Sequence, residues 1–318
     1  MNVTTEYFAI TGLKTSKKKK AIATIVITVI SILIVVILQL FPFILNGQKI
    51  IFTPQWSAQA QFAGFYIAKE KGFYDELGLD VEIVHNPSST SSYMSLEKGT
   101  TNIITAQLID AILAKDKGVD LVNIMQLTQN SAIAIVYRPE YTSIEQLQGK
   151  KVAVWKTAFS TLIKCFFKEK NIDVKYIPFL GGTNVFLSGA VDATSAMKYN
   201  EVYKLIYSGN RITEDNIIYL SDYENFNIPE DGLYCLRKDF EENKDAYLKF
   251  VKASIKGWEY VKNNMQESLD ITINIMRKER TAANIHSQQS FITFVIVTYY
   301  YIISLYIIYL FLCKENRL

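Results

Sequence analysis

Apolar positions along the chain switch repeatedly between a period of two and a helical period, and glycines or polar loops punctuate each switch. Gln48–Thr53, "QKIIFT", is a short β-rich run. Gln59–Lys71 reads as a helix, with Phe62, Phe65, Tyr66 and Ile67 at helical spacing and Gly72 as its stop. "LDVEIV", Leu79–Val84, alternates as a strand does; "PSSTSS", Pro87–Ser92, is a loop, and "SYMSLEKG" a short helix ended by Gly99. "TNIITA" reads as a strand, Gln107–Lys117 as a helix ended by Gly118, and "DLVNIMQL" and Ser131–Arg138 as two further strands. The order then recurs: strand "KKVAVW", helix Phe159–Lys170, strand "VKYIPFL", the loop, helix and strand of "GGTNVFLSGAVDATSA", helix "NEVYKLIYSGN" and strand "NIIYL". "GLYCLRKDF" crosses back, and Glu241–Asn264 and Gln266–Arg277 are helical. Alternating elements of this kind predict α/β architecture with mostly parallel sheets. Two halves of similar order predict two lobes with a cleft between them, and ligands in such sheets sit outside the carboxyl ends of the strands.

The two ends of the chain follow another pattern. Lys17–Lys20 precede Ala21–Leu45, an uncharged apolar run about as long as the ~20 residues a helix needs to cross a bilayer. It is too long for a signal-peptide core and lacks a small-x-small cleavage site. The expectation is a signal anchor over 21–45, a basic segment 1–20 in the cytoplasm, and export of everything that follows. A second apolar run, Phe291–Cys313, precedes Lys314 and Arg317. It contains no Gly or Ala for helix packing, so it is either a second transmembrane helix or an aberrant, out-of-frame tail.

Composition narrows the chemistry. The 318 residues carry a formal net charge of +3, which gives no electrostatic footprint for nucleic acid. Cys165, Cys235 and Cys313 are scattered, and His85 and His286 are the only histidines. No zinc site, disulfide framework or triad using both histidines is expected, and no metal, cofactor or catalytic residue is assigned. The candidates are binding residues at strand ends. Trp56 sits among small and polar residues where no apolar stripe needs it, and a loop Trp at a strand end can stack on a flat ligand. Gln61 lies beside it, whereas Phe62 and Phe65 read as core. Gln107 ends "TNIITA", Asn184 opens the helix after Gly181 and Gly182, and Trp155 ends a strand of the second lobe, where it fits site or core equally. "PSSTSS" and "GGTN" each lead into a helix whose first amides can bind an anion or take an ordinary Ser/Thr cap.

In order along the chain, "QFAGFYIAKEKGFYDELGLDVEI", "SLEKGTTNIITA", "LQGKKVAVW", "SGAVDATSA" and "YNEVYKLIYSGN" resemble the SsuA/THI5-like (NMT1/THI5) family of periplasmic solute-binding proteins, over about Ile50 to Arg277. The resemblance implies a two-lobed type II periplasmic-binding-protein fold over 48–280. Lobe I would take about 48–138 and 232–280, and lobe II about 139–231, with closure about the crossing strands Ile133–Arg138 and Gly232–Arg237. Members bind thiamine pyrimidine precursors, other small amines or sulfonates, and some eukaryotic members are pyrimidine synthases instead. At the synthases' pyridoxal-bearing lysine and substrate histidine this chain has Ala106 and Asp110, and in place of their cysteine-rich segment it has Cys235 alone. Ala cannot form a Schiff base and Asp carries no imidazole, so the resemblance implies a binding protein and not the synthase.

"MKYNEVYK" is similar to the segment of pyrimidine-precursor binders in which a Glu pairs with the aminopyrimidine edge. The matching residue is Glu201, with Tyr199 as a second stacking wall; the alternative role for Glu201 is capping its helix beside Asn200. The expected function is a membrane-anchored solute-binding protein on the extracytoplasmic side of a bacterial membrane, delivering an aminopyrimidine to an ABC permease for thiamine biosynthesis. The alternative is the input domain of a transmembrane sensor cut short by truncation or frameshift.

Overall fold

Ten strands pair into two five-stranded sheets, one per lobe, in a computed structural model that describes residues 24–34, 47–86, 91–156, 160–281, 288 and 292. The first sheet has the order β2-β1-β3-β10-β4, built from β1 (Gln48–Thr53), β2 (Leu79–Ile83), β3 (Ile103–Gln107), β4 (Leu121–Gln126) and β10 (Asp231–Leu236). The second has the order β7-β6-β8-β5-β9, built from β5 (Ile133–Tyr137), β6 (Lys151–Trp155), β7 (Lys175–Phe179), β8 (Ala193–Met197) and β9 (Ile217–Tyr219). β1 runs parallel to β2 and β3, and β6 runs parallel to β7 and β8. β10 is antiparallel to β3 and β4, and β5 is antiparallel to β8 and β9.

This topology places the cleft. The chain leaves the first sheet at Gln126, the carboxyl end of β4, and enters the second at Ile133, which pairs with Met197 at the carboxyl end of β8. It returns from Tyr219 to Asp231, which pairs with Gln107 at the carboxyl end of β3. Both crossings therefore join the same kind of edge, and the carboxyl ends of the two sheets' parallel strands face each other across them. The crossings are 127–132 and 220–230, so the expected boundary at 138 moves. Ile133–Tyr137 is the apolar interior strand of the second sheet, paired on both sides, and cannot serve as a crossing.

Helices cover the sheets. In lobe I, α1 (Ala63–Glu70) packs on α8 (Lys244–Asn263), with α2 (Ser92–Glu97), α3 (Leu108–Asp116), α7 (Arg237–Glu242) and α9 (Met265–Lys278) completing the layers; α4 (Ser160–Glu169), α5 (Asn184–Leu187) and α6 (Glu201–Ile206) belong to lobe II. The expected helix over 59–71 begins as a 3-10 turn, Ala60–Phe62, before α1. Phe52, Phe65, Tyr74 and Phe250 form the aromatic centre of lobe I, with Tyr74 stacked on Phe250 at 5.1 Å. The contact between α1 and α8 is close enough to need glycine on both sides. A Cβ on Gly257 would lie 2.0 Å from the Gly64 carbonyl oxygen, and one on Gly64 would lie 2.2 Å from the Trp258 ring.

The domain continues past Arg280. Gln288 Oε1 accepts from the Ala60 amide at 2.8 Å, and Ile292 is fully buried in the main core. Within the apolar run expected over 291–313, Ile292 is therefore part of the folded core; the other residues of the run lie outside the described ones. At the other end, 24–34 is helical with exposed apolar side chains. The remainder of the expected anchor over 21–45 lies outside the described residues, and among those described no helix is long and apolar enough to cross a membrane.

Candidate functional site

Asp231 opens β10 at the edge that faces lobe II, and the fold buries it. Three glutamine amides point at it. Gln55 Nε2, just beyond β1, donates to Oδ1 at 2.8 Å, and Gln107 Nε2, at the end of β3, donates to the same oxygen at 2.5 Å. Gln61 Nε2 donates to Oδ2, and its own Oε1 accepts from Gln59 Nε2 at 2.7 Å. Burial raises the Asp231 carboxyl to about 6, against the lowering effect of the Gln61 and Gln55 hydrogen bonds. The backbone is held as firmly: the Asp231 amide donates to Thr128 Oγ1 at 2.9 Å, and its carbonyl accepts from Gln126 Nε2 and the Leu127 amide at 2.8 Å each.

Glu230 precedes it in the returning crossing and ties the two crossings together. Its Oε1 accepts from Ser131 Oγ at 2.7 Å, the Ala132 amide at 2.8 Å and the Ile133 amide at 3.3 Å, all on the outgoing crossing or the start of β5. Burial is the main cause that pushes the Glu230 carboxyl up to about 8, and the neighbouring Asp231 charge adds to it. A pair of buried acids thus sits where lobe motion would be concentrated.

Trp56 is 40 % exposed, and its loop is pinned from below. The Trp56 carbonyl can only accept, so His85 Nδ1–H donates to it at 2.7 Å, and His85 Nε2 accepts from the Tyr66 hydroxyl at 2.9 Å. Burial lowers the His85 pKa, which keeps that neutral arrangement in place. The indole reaches the other lobe: a Cβ on Gly181 would lie 3.6 Å from Trp56 Cζ2, and Gly181 holds φ +141°, a backbone that side chains rarely adopt.

The remaining candidates divide into two sets. Tyr199 follows β8 and is buried; desolvation raises its phenol well above the ordinary value, and the charges of Asp231, Glu230 and Glu201 raise it further. Glu201 is buried but turned toward its own loop: Oε2 accepts from the Met197 amide at 3.0 Å and Oε1 from Asn200 Nδ2 at 2.9 Å. Desolvation raises its pKa, against the lowering effect of hydrogen bonds from the Met197 amide and from its own amide at the start of α6. Beside it, Asn200 Oδ1 is buried without a partner. Trp155 is 7 % exposed and stacks on Phe179 at 6.1 Å, and Asn184 is exposed at the start of the four-residue α5. Of the two polar loops, residues 87–90 lie outside the described ones, and Ser91 caps α2 through the Tyr93 amide at 3.2 Å. Among the described residues no group of three metal-ligating side chains comes together.

The glutamine cluster extends what the sequence pattern offered. Gln61 and Gln107 were expected at the cleft; Gln55, Glu230 and Asp231 were not. "IPEDGLY" reads as a polar turn before a strand, and only the pairing of β10 with β3 sets Asp231 opposite Gln107.

A family model described as NMT1/THI5-like matches residues 59–268, well over half of the chain. A formylaminopyrimidine-binding protein of Halalkalibacterium halodurans is 23% identical over 230 residues, covering 69% of this chain and 68% of its own. The riboflavin-binding protein RibY of Chloroflexus aurantiacus is 22% identical over 240 residues, covering 72% and 67%. The chain thus spans about two thirds of each relative's length. Among solved structures, the alkanesulfonate-binding protein SsuA of Xanthomonas axonopodis, bound to MOPS, has a TM-score of 0.59 at 12% identity, covering 78% of this chain and 84% of that one. At that identity the likeness extends to the fold.

Proposed function

The chain belongs to the NMT1/THI5-like family, and from that premise we propose that it is an extracytoplasmic solute-binding protein that captures an aminopyrimidine of thiamine-precursor type and delivers it to an ABC permease. One observation carries this reading. The facing carboxyl edges of the two sheets bring aromatic side chains, Trp56 and Tyr199, beside a buried cluster of glutamine amides and carboxylates. Aromatic walls with a few placed polar groups suit a flat nitrogenous ring. The name of the Halalkalibacterium relative favours a pyrimidine, and that of the Chloroflexus relative makes riboflavin the competitor to test.

Binding and not synthesis is favoured because Ala106 lies buried within β3 where a synthase needs its lysine. Lys17–Lys20 and the uncharged stretch 21–45 support tethering to the membrane. Ile292, buried in the main core, puts the start of the second apolar run inside the domain and weighs against an input domain framed by two spans. A thermal-shift titration of the full chain with formylaminopyrimidine, riboflavin and an alkanesulfonate tests the ligand, with Glu201→Gln alongside. At a hundred times its dissociation constant the cognate ligand adds about 2.7 kcal/mol of stability. A shift with riboflavin or sulfonate and none with the pyrimidine would replace this ligand assignment.

A further inference from the structure

We propose that Asp231 sets the hydrogen-bond polarity of the cleft, turning glutamine carbonyl oxygens toward the ligand so that the site selects molecules that donate N–H and rejects acceptor-only anions such as sulfonates. This inference rests on the binding-protein reading above and gives that site its specificity.

A primary amide presents a donor at one end and an acceptor at the other, and its orientation follows from its partner. An ionised carboxylate only accepts. Asp231 therefore holds the Nε2 ends of Gln55, Gln61 and Gln107 and sends their Oε1 ends the other way. Gln59 takes up the Gln61 oxygen. The oxygens of Gln55 and Gln107 accept no hydrogen bond from any described residue; Gln55 is half-buried and Gln107 is 4 % exposed. Both residues lie at the carboxyl ends of β1 and β3, beside Trp56 and on the edge that faces lobe II.

Neither amide can flip while the carboxylate stands, because an amide oxygen would then meet a carboxylate oxygen. The backbone of both residues is held in place: the Gln55 backbone N–H donates to Thr105 Oγ1 at 2.8 Å, and Gln107 lies in register with Asp231. The ligand accordingly meets two carbonyl oxygens. An exocyclic amine or ring N–H satisfies them. A sulfonate brings only further oxygens and leaves the carbonyls unpaired, at a cost comparable to lost hydrogen bonds. The fold alone does not impose this preference, since the same fold in the Xanthomonas protein holds MOPS.

The test measures a ratio. Isothermal titration of the full chain at pH 8 compares an aminopyrimidine, the same pyrimidine lacking its amine, and an alkanesulfonate, in wild type and Asp231→Asn. Wild type should bind the amine at least about ten-fold more tightly than its amine-free counterpart. Asp231→Asn brings a donor into the cluster and lets a glutamine turn its NH2 outward. The ratio should fall toward one and sulfonate affinity should rise. A merely structural role for Asp231 would weaken all three ligands together and leave the ratio unchanged, which overturns the proposal, as does a wild type that prefers the sulfonate.

If Asp231→Asn lacks a cooperative melt, Gln107→Leu removes one acceptor while Asp231 keeps two donors. It should lose about ten-fold for the amine and nothing for the amine-free ring; equal losses overturn the proposal. A wild type that binds riboflavin, another N–H donor, and loses it in Asp231→Asn with sulfonate rising, upholds the polarity and removes only the pyrimidine reading.

Discussion

Glu230→Gln should stabilise the protein above neutral pH, and the structure sets the size and sign of the effect. The folded state holds the Glu230 carboxyl near 8, against an ordinary value of 4.5. The folded protein therefore binds a proton that the unfolded chain releases between those values. The contribution of this group to stability is greatest below pH 4.5 and falls as pH rises toward 8. At 1.36 kcal/mol per pKa unit, that interval corresponds to roughly 5 kcal/mol. Water reaching the crossing when the lobes open reduces the observable loss to on the order of 2–3 kcal/mol. Glutamine keeps an acceptor for Ser131 Oγ and the Ala132 amide but carries no charge at any pH. Thermal melts of wild type and Glu230→Gln from pH 5 to pH 8.5 provide the assay. The two should nearly coincide at pH 5 and separate by roughly 5–10 °C at pH 8.5, the variant being the more stable. Parallel pH profiles would refute the reasoning, because the carboxyl would then not be the group that takes up the proton.

Three further outcomes follow from packing and charge. Gly257→Ala should cost about 3 kcal/mol or more in urea unfolding, because its Cβ would meet the Gly64 carbonyl of α1 at 2.0 Å and neither helix can retreat without opening the core. Ile292→Ala should cost about 2–5 kcal/mol in the same assay if the chain beyond Arg280 belongs to lobe I; a loss below about 0.5 kcal/mol would detach that segment from the domain. Asp231, held near 6, gives up its charge as pH falls, so the advantage of an aminopyrimidine over a sulfonate should shrink between pH 8 and pH 5; a constant advantage over that range would contradict its place in the site.

Much of this architecture was legible in the order of residues. β1 runs over Gln48–Thr53 as its apolar pattern indicates, and Gly72, Gly99 and Gly118 punctuate the helices of lobe I as expected. Local patterns failed where pairing partners decide. "IAIVY" is equally suited to either sheet, and its pairing with β8 and β9 is a long-range fact that moved the lobe boundary. The candidate site was half legible for the same reason. Gln107 ends β3, and Gln61 lies in the turn that opens α1, both places that periodicity can locate. Asp231 is an acid in a Pro-Glu-Asp-Gly run that looks like a surface turn, and it becomes a buried hub only because β10 inserts between β3 and β4. Glu201 shows the converse: a residue singled out by resemblance whose carboxylate is occupied by Met197 and Asn200 in its own loop.

The central claim is that the ligand sits between the facing strand edges, against Trp56. Isothermal titration of formylaminopyrimidine into the full chain and into Trp56→Ala tests it most directly. Trp56 is 40 % exposed in lobe I and lies close to Gly181 across the cleft, so its loss should leave the melting temperature within about 2 °C of wild type while affinity falls about ten-fold or more. Unchanged affinity in a variant that melts normally would place the ligand elsewhere and contradict the account.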